Sequence, residues 1–334
     1  MPERLPPALL QEVGQLRLGS DITLANRTCS ALININPISG GVIVDLSKAA
    51  IKSPSEAADL AAKYTKISGI KGICFDLRST YSEAVGFGDG NDILRRVSGL
   101  MTATQSLIVR IDTPNATNRD DILFVRAAGV DLVLFGPPTT HIDPNQNCTF
   151  VDTIDALALP CVLQVDRAAQ PSLDFDQDIM SLAQRCPNII GITLCCDEHV
   201  LQYDQDYYAL KRLDRPIAVI PSCDGTLFHN LNTGADGVIS RMAIIAPHET
   251  TAMYQASIEE RFYDAQMLHN RLAPLTGLLA AGTKQDQRKT FEHCAVLQGL
   301  PSGLFADQSS GQLDDNRRSE IEQILKDIQL KPIV

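Results

Sequence analysis

From residue 41 onward the hydrophobic positions of this chain alternate between two rhythms. Short, nearly continuous apolar runs rich in Val and Ile occur at 41–46 (GVIVDL), 71–77 (KGICFDL), 106–112 (SLIVRID), 130–136 (VDLVLFG), 160–166 (PCVLQVD), 188–194 (NIIGITL), 216–222 (PIAVIPS) and 236–240 (DGVIS). Runs of this length and β-branched content predict strands covered on both faces, as in a parallel sheet. Between them the apolar residues recur at spacings of three and four, which predicts helices. These stretches are SPSEAADLAAKYTKI, NDILRRVSGLMTA, TNRDDILFVRAAG, FVDTIDALA, FDQDIMSLAQRC, DEHVLQYDQDYYALKRL and a seventh around GTLFHNLNTG. Ser53-Pro54 followed by Glu56, Asn118 ahead of Asp120 and Asp121, and Asp174 ahead of Phe175 supply helix starts, and Gly129 and Gly234 supply stops.

Eight strands, each followed by a helix, meet the arithmetic of an α/β fold of the (β/α)8 TIM-barrel type, which takes about 250 residues. A doubly wound open sheet is the alternative, but it calls for a glycine-rich phosphate turn after the first strand, and none follows Val44-Asp45. Three further helical segments are expected at 247–279, with a break near Arg261, at 284–298 and at 315–329. The expected organisation is therefore an N-terminal arm or lid over 1–40, a barrel over 41–265 and a C-terminal helical subdomain over 266–334.

Charge and cysteine usage narrow the function classes. With 44% hydrophobic and 21% charged residues the chain has the composition of a soluble globular protein. A formal net charge of -11 argues against nucleic acid or an anionic membrane surface as partner, while leaving room for a local basic pocket that takes a small anion. The 9 cysteines contain no C-x-x-C pair, which predicts reduced thiols in a cytoplasmic setting, most of them small buried hydrophobes. The start, MPERLPPALLQEV, does not read as an export signal, and no apolar run is long enough for a transmembrane helix. The sequons at Asn26, Asn115 and Asn147 are accordingly expected to be idle.

The stretch NIIGIT, then PIAVIPSCDG, then TGADGVISRMAIIAPHETTAMYQASIEE resembles the dihydrodipicolinate synthase and N-acetylneuraminate lyase family. Pro247, the Met253-Tyr254 pair, RLAPLTGLL and GLPSG at 299–303 extend the likeness, which runs from about residue 100 to 330. Residues 41 to 100 fit only through the order of their elements. The resemblance implies a class I aldolase barrel, usually a homotetramer, that acts on pyruvate or a related 2-oxo acid and needs no cofactor. It also implies a Schiff base between a lysine ending the sixth strand and the substrate's keto carbon.

Here the family's GIK phrase reads Gly191-Ile192-Thr193, and threonine has no amine with which to form an imine. The proton-relaying tyrosine of the fifth strand is matched by Gln164, an amide without acid–base character near neutral pH. The carboxylate-binding loop after the second strand reads Asp76-Leu77-Arg78-Ser79-Thr80-Tyr81-Ser82-Glu83, and the paired tyrosines after the fourth are replaced by Pro138-Thr139-Thr140-His141.

Working residues in such barrels lie at the carboxy ends of the strands. Those ends hold Asp45, Asp76, Asp112, His141, Asp166, Thr193 and Asp224, with Arg78, Arg167 and Arg241 beside them. Asp45, Asp76, Asp112 and Asp166 could hold a hard cation with His141, or cap helices and pair with arginines. The arginines could grip a carboxylate or phosphate in bidentate fashion, or neutralise those aspartates. Ser79, Thr80, Thr140 and Ser240 could donate to a bound anion, or serve turns. Lys48 is the one lysine near a predicted strand end on this side, so a relocated imine would use it. Cys195 or Cys196 with His199 or His141 is a further nucleophile arrangement that no spacing selects. The expected protein is a divergent member without Schiff-base aldolase activity, a homo-oligomer (dimer or tetramer) binding a small 2-oxo acid or other anion. The alternative is an active carbon–carbon lyase using Lys48 or a metal on the aspartates.

Overall fold

Each of the eight apolar runs forms a strand in the computed structural model, which describes residues 40–76, 87–111, 125, 127–136, 154, 159–167, 174–196, 199–305 and 313–333. The strands are β1 (Val42–Asp45), β2 (Ile70–Asp76), β3 (Ser106–Ile111), β4 (Leu132–Phe135), β5 (Cys161–Asp166), β6 (Ile189–Cys195), β7 (Ala218–Pro221) and β8 (Val238–Ser240). The strands pair in parallel, in the order β7-β6-β5-β4-β3-β2-β1-β8. Because β1 pairs with both β2 and β8, the sheet curls back on itself as a (β/α)8 barrel, the expected alternative over an open doubly wound sheet.

The seam between β7 and β8 is bridged by one residue. The Asp236 backbone N–H donates to the Val219 carbonyl at 3.0 Å, and the Val219 N–H donates to Asp236 Oδ2 at 2.7 Å. The carboxylate thus takes the ladder position that a backbone carbonyl would hold. Lys211 Nζ binds the same oxygen at 2.6 Å, and Tyr254 Oη donates to the Asp236 carbonyl at 3.0 Å.

The helices are α1 (Pro54–Thr65), α2 (Phe87–Leu100), α3 (Ser181–Arg185), α4 (Val200–Leu210), α5 (Leu227–Thr233), α6 (Met242–Ile245), α7 (Pro247–Ile258), α8 (Phe262–Ala280), α9 (Lys284–Leu297) and α10 (Asp315–Ile328). Ser53 caps α1 as expected, its Oγ accepting from the Glu56 N–H at 3.2 Å. Gly234 ends α5 at φ 107°, where a Cβ would lie 2.7 Å from Tyr207 Oη. Gly129 likewise has φ 80°. Two details differ from the pattern. Residues Phe175–Met180 form a π-helical turn ahead of α3 instead of one continuous α-helix, and the short α6 follows β8 directly. The helices expected over 117–129 and 150–158 fall mostly, and the arm over 1–40 almost wholly, outside the described residues.

Strand alternation sorts the core into two shells. Ile43, Cys74, Ile108, Leu132, Leu134, Val162, Ala218, Ile220 and Ile239 pack against one another inside the barrel. The intervening residues, among them Val44, Phe75, Val109, Val133, Leu163, Ile192, Leu194 and Val238, pack outward with the helices. Gly191 admits a close approach inside, since a Cβ there would come within 3.2 Å of the Ala218 carbonyl. Beyond the barrel, α7 and α8 break at Glu260 and Arg261, as expected, and residue 265 lies within α8. Arg271 of α8 donates to the Ile328 and Gln329 carbonyls that end α10, each at 2.6 Å. Arg317 of α10 donates to the Leu278 carbonyl near the end of α8 at 2.8 Å. Each helix thus caps the other's negative end with a guanidinium.

Candidate functional site

The side chains that face the carboxy end of the barrel follow from counting in twos from the inner shell. Val162 lies inside, so Gln164 and Asp166 continue on the same face of β5. The register pairs Gln164 with Thr193 and Asp166 with Cys195 on β6. By the same count β1 ends on Asp45, β2 on Asp76 and β3 on Arg110.

Thr193 is fully buried, and among the described residues its Oγ1 has no hydrogen-bond partner. The hydroxyls of Ser47, in the turn after β1, and Ser222, just past β7, are buried and unpartnered in the same way. A buried hydroxyl without a partner carries an uncompensated desolvation cost, so three at one end of a barrel mark donors that a polar ligand would satisfy.

Charge at this end is mixed. Burial pushes the Cys74 thiol well up, with Asp45 and Asp76 raising it further and Arg110 opposing them, so all three charged groups surround the inner end of β2. Arg110 is a charge at this end that strand-end reading passes over, although a single charge within the apolar run SLIVRID is a visible signal. Asp224 Oδ1 accepts from Ser240 Oγ at 2.6 Å and its Oδ2 accepts from the Met242 N–H at 3.0 Å. Ser240 Oγ in turn accepts from the Ala243 N–H at 3.0 Å, so this pair caps α6. Burial raises the Asp224 pKa, against which Ser240, the Met242 N–H and Arg241 act.

The other expected site residues are placed as follows. Arg167 makes a bidentate pair with Asp206 of α4, at 2.8 Å through Nε and 2.6 Å through Nη2, and lies 4.8 Å from the Phe175 ring centroid. Asp206 holds the guanidinium pKa above its ordinary value. Arg241 is exposed and stacks its guanidinium 4.7 Å from the Phe291 ring of α9. Lys48 is exposed in the turn after β1. Arg78, Ser79, Thr80, Asp112, Thr140 and His141 lie outside the described residues. Among the described residues no group of three His, Cys, Asp or Glu side chains comes together as a metal site, Asp45, Asp76 and Asp166 included.

Every lysine of the sequence falls within the described residues, so their positions can be compared with the barrel mouth directly. Lys48 and Lys52 lie between β1 and α1, and Lys63 and Lys66 lie at the end of α1. Lys71 is the second residue of β2, toward the opposite end of the barrel, and Lys211 is bound to Asp236. Lys284, Lys289, Lys326 and Lys331 belong to the C-terminal helices and tail.

The thiols meet each other, not a histidine. Cys223 Sγ donates to Cys195 Sγ at 3.3 Å, and the Cys196 N–H donates to Cys223 Sγ at 3.0 Å. The His199 backbone N–H donates to the Cys196 carbonyl at 3.1 Å, but among the described residues no hydrogen bond joins the thiol of Cys195 or Cys196 to the His199 ring.

Comparison with known proteins agrees with this architecture. The computed structure superposes on YagE of Escherichia coli K12, a prophage protein of the dihydrodipicolinic acid synthase family solved with pyruvate. The TM-score is 0.72 at 22% identity, over 87% of this chain and 99% of that one. It superposes on the Ruminococcus gnavus sialic acid aldolase with a TM-score of 0.68 at 16% identity, over 86% and 96% of the two chains. At these identities the likeness establishes the fold. In sequence, the chain is 31% identical over 166 residues to the 4-hydroxy-tetrahydrodipicolinate synthase of Methanosphaerula palustris, covering 48% of this chain and 55% of that protein. The enzyme of the same name from Endomicrobium trichonymphae is 29% identical over 183 residues, 54% of this chain and 58% of that protein. The match thus spans little more than half the length of these relatives. The dihydrodipicolinate synthetase family matches residues 125–328, from just before β4 through α10, and with eight strands in barrel order this chain belongs to that family.

Proposed function

We propose that this chain is a family member that binds a small 2-oxo acid or similar anion at the barrel mouth without forming a Schiff base to it. The observation that carries this reading is Thr193. It occupies the inward position near the end of β6, in register with Gln164, and offers a buried, unpartnered hydroxyl where the family resemblance calls for an amine. The sialic acid aldolase of Ruminococcus gnavus, a structural neighbour, has been solved as a catalytic lysine mutant, so in that enzyme the amine matters. A hydroxyl can donate a hydrogen bond to a carboxylate or a keto oxygen, but it cannot condense to an iminium.

Binding remains chemically reasonable. Arg110 supplies a cation facing the mouth, and Thr193, Ser47 and Ser222 supply hydroxyl donors, a set suited to a small carboxylate. The presence of pyruvate in the YagE structure supports a 2-oxo acid as the class to try first. A cytoplasmic homo-oligomer is part of the same proposal. Exposed Tyr263 and Met267, one turn apart on α8, give an apolar face for self-association.

Borohydride reduction in the presence of pyruvate, read by intact mass, tests the reading. The mass is expected to stay unchanged while pyruvate or oxalate raises the thermal midpoint. A reduced adduct would sink the proposal, and one mapped to Lys48 would establish the relocated-lysine alternative. No stabilisation by any small carboxylate would remove the binding half.

A further inference from the structure

Three cysteines meet where β6 and β7 open onto the mouth, and their environments differ. Cys195 ends β6, partly open to solvent, while Cys223 lies two residues past β7 and is only 3% exposed. Their sulfurs are 3.3 Å apart and joined by a thiol hydrogen bond. A disulfide requires about 2.05 Å, and the two sulfurs already touch where the neighbouring strands β6 and β7 end. The Cys196 N–H donates to Cys223 Sγ at 3.0 Å, an interaction that strengthens as that sulfur gains negative charge. Cys196 itself is buried and its thiol is pushed up to about 12, chiefly by burial and then by Asp206, so it stays protonated beside the other two. The arrangement has an accessible sulfur, a buried second sulfur with a backbone donor, and a neighbour excluded from the chemistry.

We propose that Cys195 and Cys223 are a reversible dithiol–disulfide pair, oxidised by exchange with a low-molecular-weight disulfide such as oxidised glutathione. Cys195 gives its proton to water and its sulfur attacks one sulfur of the small disulfide. The small disulfide's S–S bond breaks, one thiolate leaves and a mixed disulfide forms on Cys195. Cys223 gives up its proton and attacks Cys195 Sγ, expelling the second small thiolate. The two released protons end on the two small thiolates, so two cysteines are oxidised and one small disulfide is reduced to two thiols.

The new bond ties the ends of β6 and β7 together and draws the Cys195 sulfur toward Cys223, two residues along β6 from Thr193 and in register with Asp166. Oxidation is therefore expected to change anion affinity at the mouth. That consequence rests on the binding reading above, whereas the crosslink does not.

The full chain is equilibrated with reduced and oxidised glutathione, quenched with an alkylating reagent, digested and mapped by mass. The expected result is one crosslinked peptide pair joining the segments that carry Cys195 and Cys223, reversed by excess reduced glutathione. Cys196→Ser should retain the crosslink, Cys195→Ser should abolish it, and Cys223→Ser should accumulate the mixed glutathione adduct on Cys195. Full alkylation of both thiols under oxidising conditions would overturn the proposal. So would a crosslink that survives Cys195→Ser. Pyruvate titration of the oxidised and reduced forms then reads the consequence, with at least a threefold difference in apparent affinity expected. Equal affinities would refute the regulatory effect. If neither form binds while the crosslink forms, the anion reading fails and the redox pair stands.

Discussion

Replacing Thr193 by valine exchanges a hydroxyl for a methyl group of nearly the same shape, which isolates the one atom on which the functional reading turns. Thr193 is 0% exposed, and among the described residues its Oγ1 has no hydrogen-bond partner. A buried polar group left unsatisfied costs about 1–3 kcal/mol. Removing it recovers that cost, and the added methyl contributes up to about 0.8 kcal/mol of apolar burial. Thr193→Val is therefore expected to stabilise the ligand-free chain by about 1–3 kcal/mol, or roughly 2–6 °C in the thermal midpoint at about 2 °C per kcal/mol for a large domain. Urea midpoints at an unchanged m-value provide the second measurement. Binding should move the opposite way. A hydrogen bond to a charged ligand is worth about 1.5–3 kcal/mol, so pyruvate or oxalate should bind about ten- to a hundredfold more weakly to the variant. Thr193→Ser, which keeps the hydroxyl, should retain most of the affinity. A variant destabilised by more than about 1 kcal/mol would mean that Oγ1 is satisfied in the ligand-free protein, and the argument from an idle donor would collapse.

Three further outcomes test the frame that holds the site. Asp236→Ala removes the acceptor of the Val219 N–H and the partner of Lys211, whose side chain is 28% exposed and can turn to water. Most of the cost is then the orphaned seam N–H and the lost charged hydrogen bond, about 2–4 kcal/mol in urea unfolding, and a loss below about 1 kcal/mol would disprove the seam role. Arg215 donates to the carbonyls of Ala183 at 2.7 Å and Cys186 at 3.0 Å and also to that of Ile189, tying the end of α3 to the start of β6. Arg215→Ala should cost about 2–4 kcal/mol and Arg215→Lys should recover less than half, because an ammonium cannot span several carbonyls; equal stability of the two variants would count against the clamp. Asp224 has its pKa raised, chiefly by burial, so between about pH 3.9 and its folded pKa the folded state keeps a proton that the unfolded chain has released. Its contribution is greatest in acid and falls as pH rises through that window, so the stability of wild type relative to Asp224→Asn should shrink with rising pH there; a difference that grows would reverse the assigned cause.

The fold was legible because a parallel barrel covers both faces of every strand, which forces runs such as GICF and VIV to be apolar throughout. Helix ends at Ser53 and Gly234 were legible for a local reason, a cap and a left-handed stop. The inward row of the mouth was half legible. Counting in twos finds Arg110 as readily as Thr193, but attention to strand termini alone skips it. Contacts between distant residues left no periodic trace. Asp236 reads as the polar start of a strand and instead closes the seam to Val219, 17 residues earlier. Arg167 reads as an anion grip or a partner for a strand-end aspartate, yet the carboxylate that engages it arrives from α4, 39 residues later. Cys195 and Cys223, 28 residues apart, meet only because β6 and β7 are neighbours.

The same physics separates family from chemistry in this chain. The inner and outer shells at mid-strand hold the barrel together, and substitutions there would cost cavities or clashes. Residues at the carboxy ends of the strands carry little of that load, so their identity is set by the ligand. Thr193 sits at the junction of the two regimes. Its backbone continues the β6 ladder to Gln164 and Ile220 whatever its side chain, while its hydroxyl is the atom on which the proposed binding turns. A barrel built this way can change the side chain at that position and keep every strand around it.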